Sequence, residues 1–213
     1  MVSSERVIIS RIQLSALLLV AFAVWAGALI LAGVQVSPEW FRPFSTVVGA
    51  LVLVLILVDK WLWRVRWLQP WLFNMPNIQG TWRVNIRFTG AVPSAEQIGG
   101  FMVIRQTLSA ISLRLFTAES YSEILSAKIV PCDDGTFTVA GVYRNTPRLA
   151  VRERSPVHHG ALLLTVQGNP PESLAGQYWT DRNSQGEISL SARTNILAHS
   201  FDQAQRLTGA DAK

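Results

Sequence analysis

Two kinds of hydrophobic pattern meet near residue 75. Before it, apolar residues run together: Ile12 to Pro38 is 27 residues without a charge, and Pro43 to Val58 is 16. Beyond it, apolar and polar residues alternate in short pieces. A helix over the first run is roughly 40 Å long at 1.5 Å per residue, enough to cross a bilayer with some tilt. The second run covers roughly 24 Å. Trp61, Leu62 and Trp63 extend it, and Arg42 and Lys60 can reach from its ends toward headgroups. The connection Ser37-Pro38-Glu39-Trp40-Phe41-Arg42 has room only for a hairpin. The pattern therefore predicts a two-helix transmembrane hairpin with a short N-terminal segment over residues 1–73. A β domain over 74–200 and a C-terminal tail over 201–213 follow.

The β domain breaks into eight pieces of strand character. Gly80–Thr89 sets Trp82, Val84, Ile86 and Phe88 on one face and Arg83, Asn85 and Arg87 on the other. Further strands are predicted at Gly100–Thr107, Ala110–Ala118, Tyr121–Val130, Thr136–Arg144, Gly160–Gly168, Leu174–Asp181 and Glu187–Thr194. Asp133-Asp134-Gly135 and Asn183-Ser184-Gln185-Gly186 are turn sequences. Asn145 to His158 is the one long connection, and Ala198 to Leu207 suits a short helix. Eight strands joined by short links fit an up-and-down barrel or a sandwich, and an eight-stranded barrel encloses room for one small ligand.

Charge and composition add orientation and remove whole classes of function. Six of the eight tryptophans lie within the first 71 residues, where indoles suit the two membrane interfaces. Arg6 and Arg11 precede the hairpin and Lys60, Arg64 and Arg66 follow it, while the connection carries only Arg42. The positive-inside rule then places both termini and the β domain in the cytoplasm. The single Cys132 fits a reducing compartment and rules out an intrachain disulfide. The chain's net charge is +5, but from Asn74 onward 13 Lys and Arg face 11 Asp and Glu. Nothing there marks a surface for nucleic-acid polymers. No phosphate-binding Gly-Lys-Ser/Thr loop, His-Glu-x-x-His or spaced cysteine set occurs. His158 and His159 are adjacent, so on a strand they face opposite ways, a poor geometry for joint metal ligation. No catalytic residue, metal site or cofactor is expected.

Gly80-Thr81-Trp82 at the start of the first strand resembles the Gly-x-Trp signature of lipocalins, in which the tryptophan closes one barrel end. Two membrane runs leading into this motif resemble the two-transmembrane β-barrel effectors of bacterial cyclic-oligonucleotide antiphage signalling (CBASS). Ile104-Arg105-Gln106-Thr107, the Ser/Thr-spaced segment Thr117 to Ser126, and Tyr143-Arg144-Asn145-Thr146-Pro147 are similar to strands of that family. So is Leu174-x-Gly176-x-Tyr178-Trp179-Thr180-Asp181-Arg182 leading to Gly186-Glu187-Ile188. The resemblance implies a membrane α-helical hairpin joined to an eight-stranded, lipocalin-like up-and-down barrel. It also implies a cyclic dinucleotide, made by a partner nucleotidyltransferase, as the activating ligand. The hairpins would then form a homo-oligomer among membrane lipids and disrupt the inner membrane, halting the infected cell. Ala21, Ala23, Ala26, Gly27, Ala28, Ala32 and Gly33 would let the helices approach closely.

Such a ligand offers two phosphates and two flat bases, which arginine forks and aromatic faces recognise. Tyr178, Thr180 and Arg182 share one strand face, and Tyr143 shares another with Phe137 and Val139. Tyr121 near the third turn, beside Ser120 and Ser122, is a further candidate. Arg105 follows the apolar Phe101 and Val103 at even spacing. Either it enters the barrel and binds the ligand's charge, or the register is shifted by one and Ile104 points inward. The alternatives from other classes are a membrane-tethered lipocalin-like carrier of an apolar molecule and a scaffold that binds a protein partner.

Overall fold

A computed structural model describes residues 22–27, 31, 33, 41–65, 67–69, 72–88 and 97–209, with backbone alone at 41–47. The chain divides into two compact units, Met1–Leu55 and Ile56–Lys213. In the first, residues 22–27 are helical, and most of the Ile12–Pro38 run lies outside the described residues. Helix α1, Phe41–Lys60, begins in the first unit and ends in the second. Among the described residues no helix is long and apolar enough to cross a membrane. The side chains described on α1 start at residue 48, and the remaining stretch falls short of the roughly 20 apolar residues a span requires.

The second unit is built on eight antiparallel strands closed into one ring in sequence order. They are β1 (Gly80–Phe88), β2 (Gln97–Gln106), β3 (Ile111–Thr117), β4 (Ser120–Pro131), β5 (Phe137–Pro147), β6 (His158–Val166), β7 (Leu174–Thr180) and β8 (Gln185–Thr194). All eight predicted strands are present, most with ends moved by one to three residues. The alternation in β1 is realised as read: Trp82, Val84 and Ile86 are buried while Arg83 and Arg87 are exposed. β5 repeats the pattern with Phe137, Val139 and Tyr143 inward. A bulge in β8 opposite Thr81–Arg83 of β1, and one in β4 between Ile124 and Ser126, help the sheet coil enough to close.

One end of the ring is plugged. Trp82 is fully buried and its Nε1 donates to the Ile78 carbonyl at 2.9 Å. Arg193 lies 5.6 Å from the Trp82 ring centre and donates to the carbonyls of Gln79 (2.9 Å) and Asn77 (2.8 Å). Buried Gln106 donates to Pro76 O at 2.9 Å and accepts from Ile78 N–H at 3.0 Å. The segment before β1 is thereby held across the barrel end. The last turn of α1 is fastened at this same end: Leu108 N–H and Ser109 N–H, in the β2–β3 turn, donate to Asp59 O (2.9 Å) and Asp59 Oδ1 (2.8 Å).

The tail forms a second helix, α2 (Phe201–Gly209), a few residues beyond the position expected. It lies on the outer face against β1, β2 and β8. Phe201 meets Phe101 edge-on at 5.3 Å, and Ala204 is buried with Val103 in the same cluster. Strand β2 is consequently covered on both sides, and Gly100 to Ile104 is an unbroken buried run.

Candidate functional site

At the end opposite the plug the described residues leave the barrel open. There β1, β3, β5 and β7 finish while β2, β4, β6 and β8 begin. A cavity of about 610 Å³ enters from this end, within the range of small-molecule sites. Its depths are apolar, lined by Ile86, Met102, Leu113, Leu162 and Ile188, and its mouth is polar, with Ser120, Ser122, Asn145, Thr180 and Ser184.

Two tyrosines stand between these zones. Tyr143 of β5 is opposite Gly160 of β6, and a Cβ on Gly160 would lie 2.5 Å from the Tyr143 ring. Tyr178 of β7 is opposite Gly186 of β8, where a Cβ would lie 2.9 Å from its ring and 2.0 Å from Arg87 O. Each ring therefore rests over a glycine in the next strand, and any larger residue there would push it off. Phe88 meets Tyr178 edge-on at 6.2 Å. Burial, reinforced by Tyr178 and Asp181 and opposed by Arg182, pushes the Tyr143 phenol up to about 12. Burial alone pushes Tyr178 to about 12. Both are neutral hydrogen-bond donors at pH 7. The Tyr178 hydroxyl is buried and has no hydrogen-bond partner among the described residues. Leaving such a group unpaired costs roughly 1–3 kcal/mol.

The mouth carries a small polar network and two cations. Asn145 Nδ2 donates to Ser120 Oγ (3.1 Å) and Ser122 Oγ (2.8 Å). Across the ladder from Asn145 lies His158, buried, with Nδ1 3.1 Å from Pro156 O. That contact makes Nδ1 the protonated nitrogen and leaves Nε2 an acceptor. Burial holds the His158 imidazole below its usual range, with Arg182 and His159 adding to the effect and Pro156 O and Asp181 opposing it. Arg154, in the β5–β6 loop, pairs with Glu119, and Arg182, in the β7–β8 turn, donates to Ser155 Oγ at 3.4 Å. All four of these residues line the cavity.

Of the residues chosen from sequence, Tyr143, Tyr178, Thr180 and Arg182 come together on this cavity. Arg105 and Tyr121 do not. Tyr121 is 46% exposed on the outer face of β4 while Ser120 and Ser122 turn inward. The ordinary sense of amphipathicity is reversed there because the strand begins at a polar mouth. Arg105 is exposed on the outer face of β2, and Ile104 is the inward residue. Its apolar neighbours Phe101 and Val103 are buried under α2, outside the barrel. Asn145, His158 and Arg154 were not chosen. Asn145 has the parity of Tyr143 on the same strand, a signal that was present in the sequence. His158 opens β6 with the inward parity of Leu162 and Leu164, a signal also present in the sequence, whereas Arg154 is brought to the mouth by the long connection, which no periodicity reveals. Among the described residues no group of three or more His, Cys, Asp or Glu is placed to hold a metal.

Residues 73–192 match a family described as the Cap15 cyclic dinucleotide receptor domain. No curated protein matches the chain.

Proposed function

The chain belongs to the Cap15 cyclic dinucleotide receptor family of CBASS effectors, and from that membership we propose that the messenger binds in the barrel cavity. In this reading it enters from the end away from α1. A base descends past Tyr143 and Tyr178 into the apolar floor, and the phosphates stay at the mouth. Arg154 exchanges Glu119 for a phosphate, and Arg182 supplies the second fork. Asn145 and the Tyr178 hydroxyl read polar edges of the base. The observation that carries this assignment is the buried Tyr178 hydroxyl, without a partner among the described residues, in a cavity of about 610 Å³, an opening in the hydrogen-bonding that a polar ligand completes. The role is binding and not catalysis.

The output in this proposal is the hairpin. Leu51 to Leu57 on α1 are seven consecutive apolar residues, each at least 42% exposed. A helix docked on a protein core would show a buried stripe. Exposure in every direction suits lipid, and the cytoplasmic placement of both termini rests on the positive charges that flank the two apolar runs. Messenger binding gathers copies of the chain, and the gathered hairpins disrupt the bilayer.

Calorimetry of the full chain in detergent against a panel of cyclic di- and trinucleotides tests the first half. Dye release from vesicles holding the chain, with and without the best ligand, tests the second. Binding of an apolar molecule and of no nucleotide would favour the carrier, and a filled cavity binding neither would favour the scaffold.

A further inference from the structure

A second concavity lies outside the barrel, at its plugged end, and the cavity function leaves it unused. We propose that it binds the phosphate of an anionic phospholipid, an inference that rests on α1 entering a bilayer. The groove holds about 390 Å³ and is lined by Lys60, Trp61, Arg64, Arg105, Ile111 and Leu197 among others, with no carboxylate in its wall. The carboxylate nearest in sequence, Asp59, accepts from the Ser109 amide at 2.8 Å.

The three cations are differently prepared. Arg64 is fixed: its Nη2 donates to Gln79 Oε1 at 2.8 Å and to Gln106 O, while its Nε is buried without a partner among the described residues. Arg105 is exposed, its polar contact being His199 Nδ1 at 3.5 Å. Lys60, the last residue of α1, is exposed and joins none of the ion pairs among the described residues. Three positive charges around one groove attract an anion. The apolar wall of Ile111 and Leu197 and the 59%-exposed Trp61 suit a glycerol backbone at an interface better than a free phosphate. Lys60 and Trp61 end the apolar helix, where a headgroup would lie.

The test is native mass spectrometry of the full chain from detergent with added phosphatidylglycerol or phosphatidylcholine. It compares wild type with Lys60→Gln/Arg105→Gln. Wild type should retain one phosphatidylglycerol in preference to phosphatidylcholine, and the double variant should lose that preference about tenfold. Cyclic dinucleotide affinity should be unchanged, since neither residue touches the cavity. Displacement of the lipid by equimolar inorganic phosphate would overturn the lipid assignment, as would equal retention of both lipids. Carbonate washing of membranes separates the two levels of the argument. A chain that stays with the membrane but shows no lipid preference defeats this site alone. One washed free defeats the bilayer reading and the site together.

Discussion

Replacing Tyr178 by phenylalanine should raise stability and lower affinity at once. The ring keeps its seat over Gly186 and its edge contact with Phe88, so packing is preserved. What is lost is a hydroxyl buried without a partner among the described residues, whose desolvation costs roughly 1–3 kcal/mol. Because the cavity opens to solvent, the lower end applies, and relief of about 1 kcal/mol is expected. For a unit of this size that is a Tm rise of about 2–4 °C. With ligand bound the hydroxyl has a partner, and its loss removes a neutral hydrogen bond of about 0.5–1.5 kcal/mol. Affinity should fall roughly 3- to 10-fold, and the ligand-induced rise in Tm should shrink with it. Tryptophan fluorescence melts of the full chain in detergent, with calorimetric titration, give both quantities. A variant that melts several degrees lower and binds as wild type would refute the reasoning, since the hydroxyl would then have its partner in the free protein.

Other outcomes follow from the same geometry. Gly160→Ala sets a methyl 2.5 Å from the Tyr143 ring and 2.4 Å from Trp179 O. It should cost about 1–3 kcal/mol of stability and disturb the nucleotide site, as chemical denaturation and calorimetry would record. His158 has a folded pKa below its unfolded 6.5, so the unfolded chain binds more protons. Stability should hold above pH 6.5 and fall as acid passes below it, by at most about 1.4 kcal/mol per pH unit. His158→Gln should flatten that part of a Tm–pH curve. Truncation after Ser200 removes α2 and uncovers Phe101 and Val103. A loss of roughly 3–5 kcal/mol and dye binding to the exposed outer face are expected. Gly27→Leu should abolish ligand-triggered dye release while leaving calorimetric affinity intact; loss of both would mean a folding defect.

Most of the barrel was legible because most strands have one wet face and one dry face, and the chain meanders with short turns. β5 and β7 can be read residue by residue, which puts Tyr143 and Tyr178 on the interior face. β2 cannot. Residues 100–104 are apolar at both parities, since the interior claims Met102 and Ile104 while α2 claims Phe101 and Val103. Parity is silent when both faces are dry, and the side taken by Arg105 depends on a helix about 100 residues further on. At the mouth the difficulty is the reverse. Near Ser120 the interior itself is polar, so hydropathy no longer distinguishes inside from outside, and Tyr121 was drawn to the wrong side. Arg154 reaches the site through the 148–157 loop, whose path no repeating pattern encodes.

Seven of the eight ladder contacts join strands that are consecutive in the chain, and only β1 with β8 joins distant ones. The plug depends on that seam, because Arg193 at the end of β8 is what clasps Asn77 and Gln79. During synthesis, roughly 130 residues must leave the ribosome after Lys60 before the seam can shut. At 5–20 residues per second that is roughly 7–26 s. The apolar segments thus emerge well before a competent receptor exists. In the proposed effector the order of strands in a closed meander would act as a timer, arming the sensor only after the apolar segments have left the ribosome.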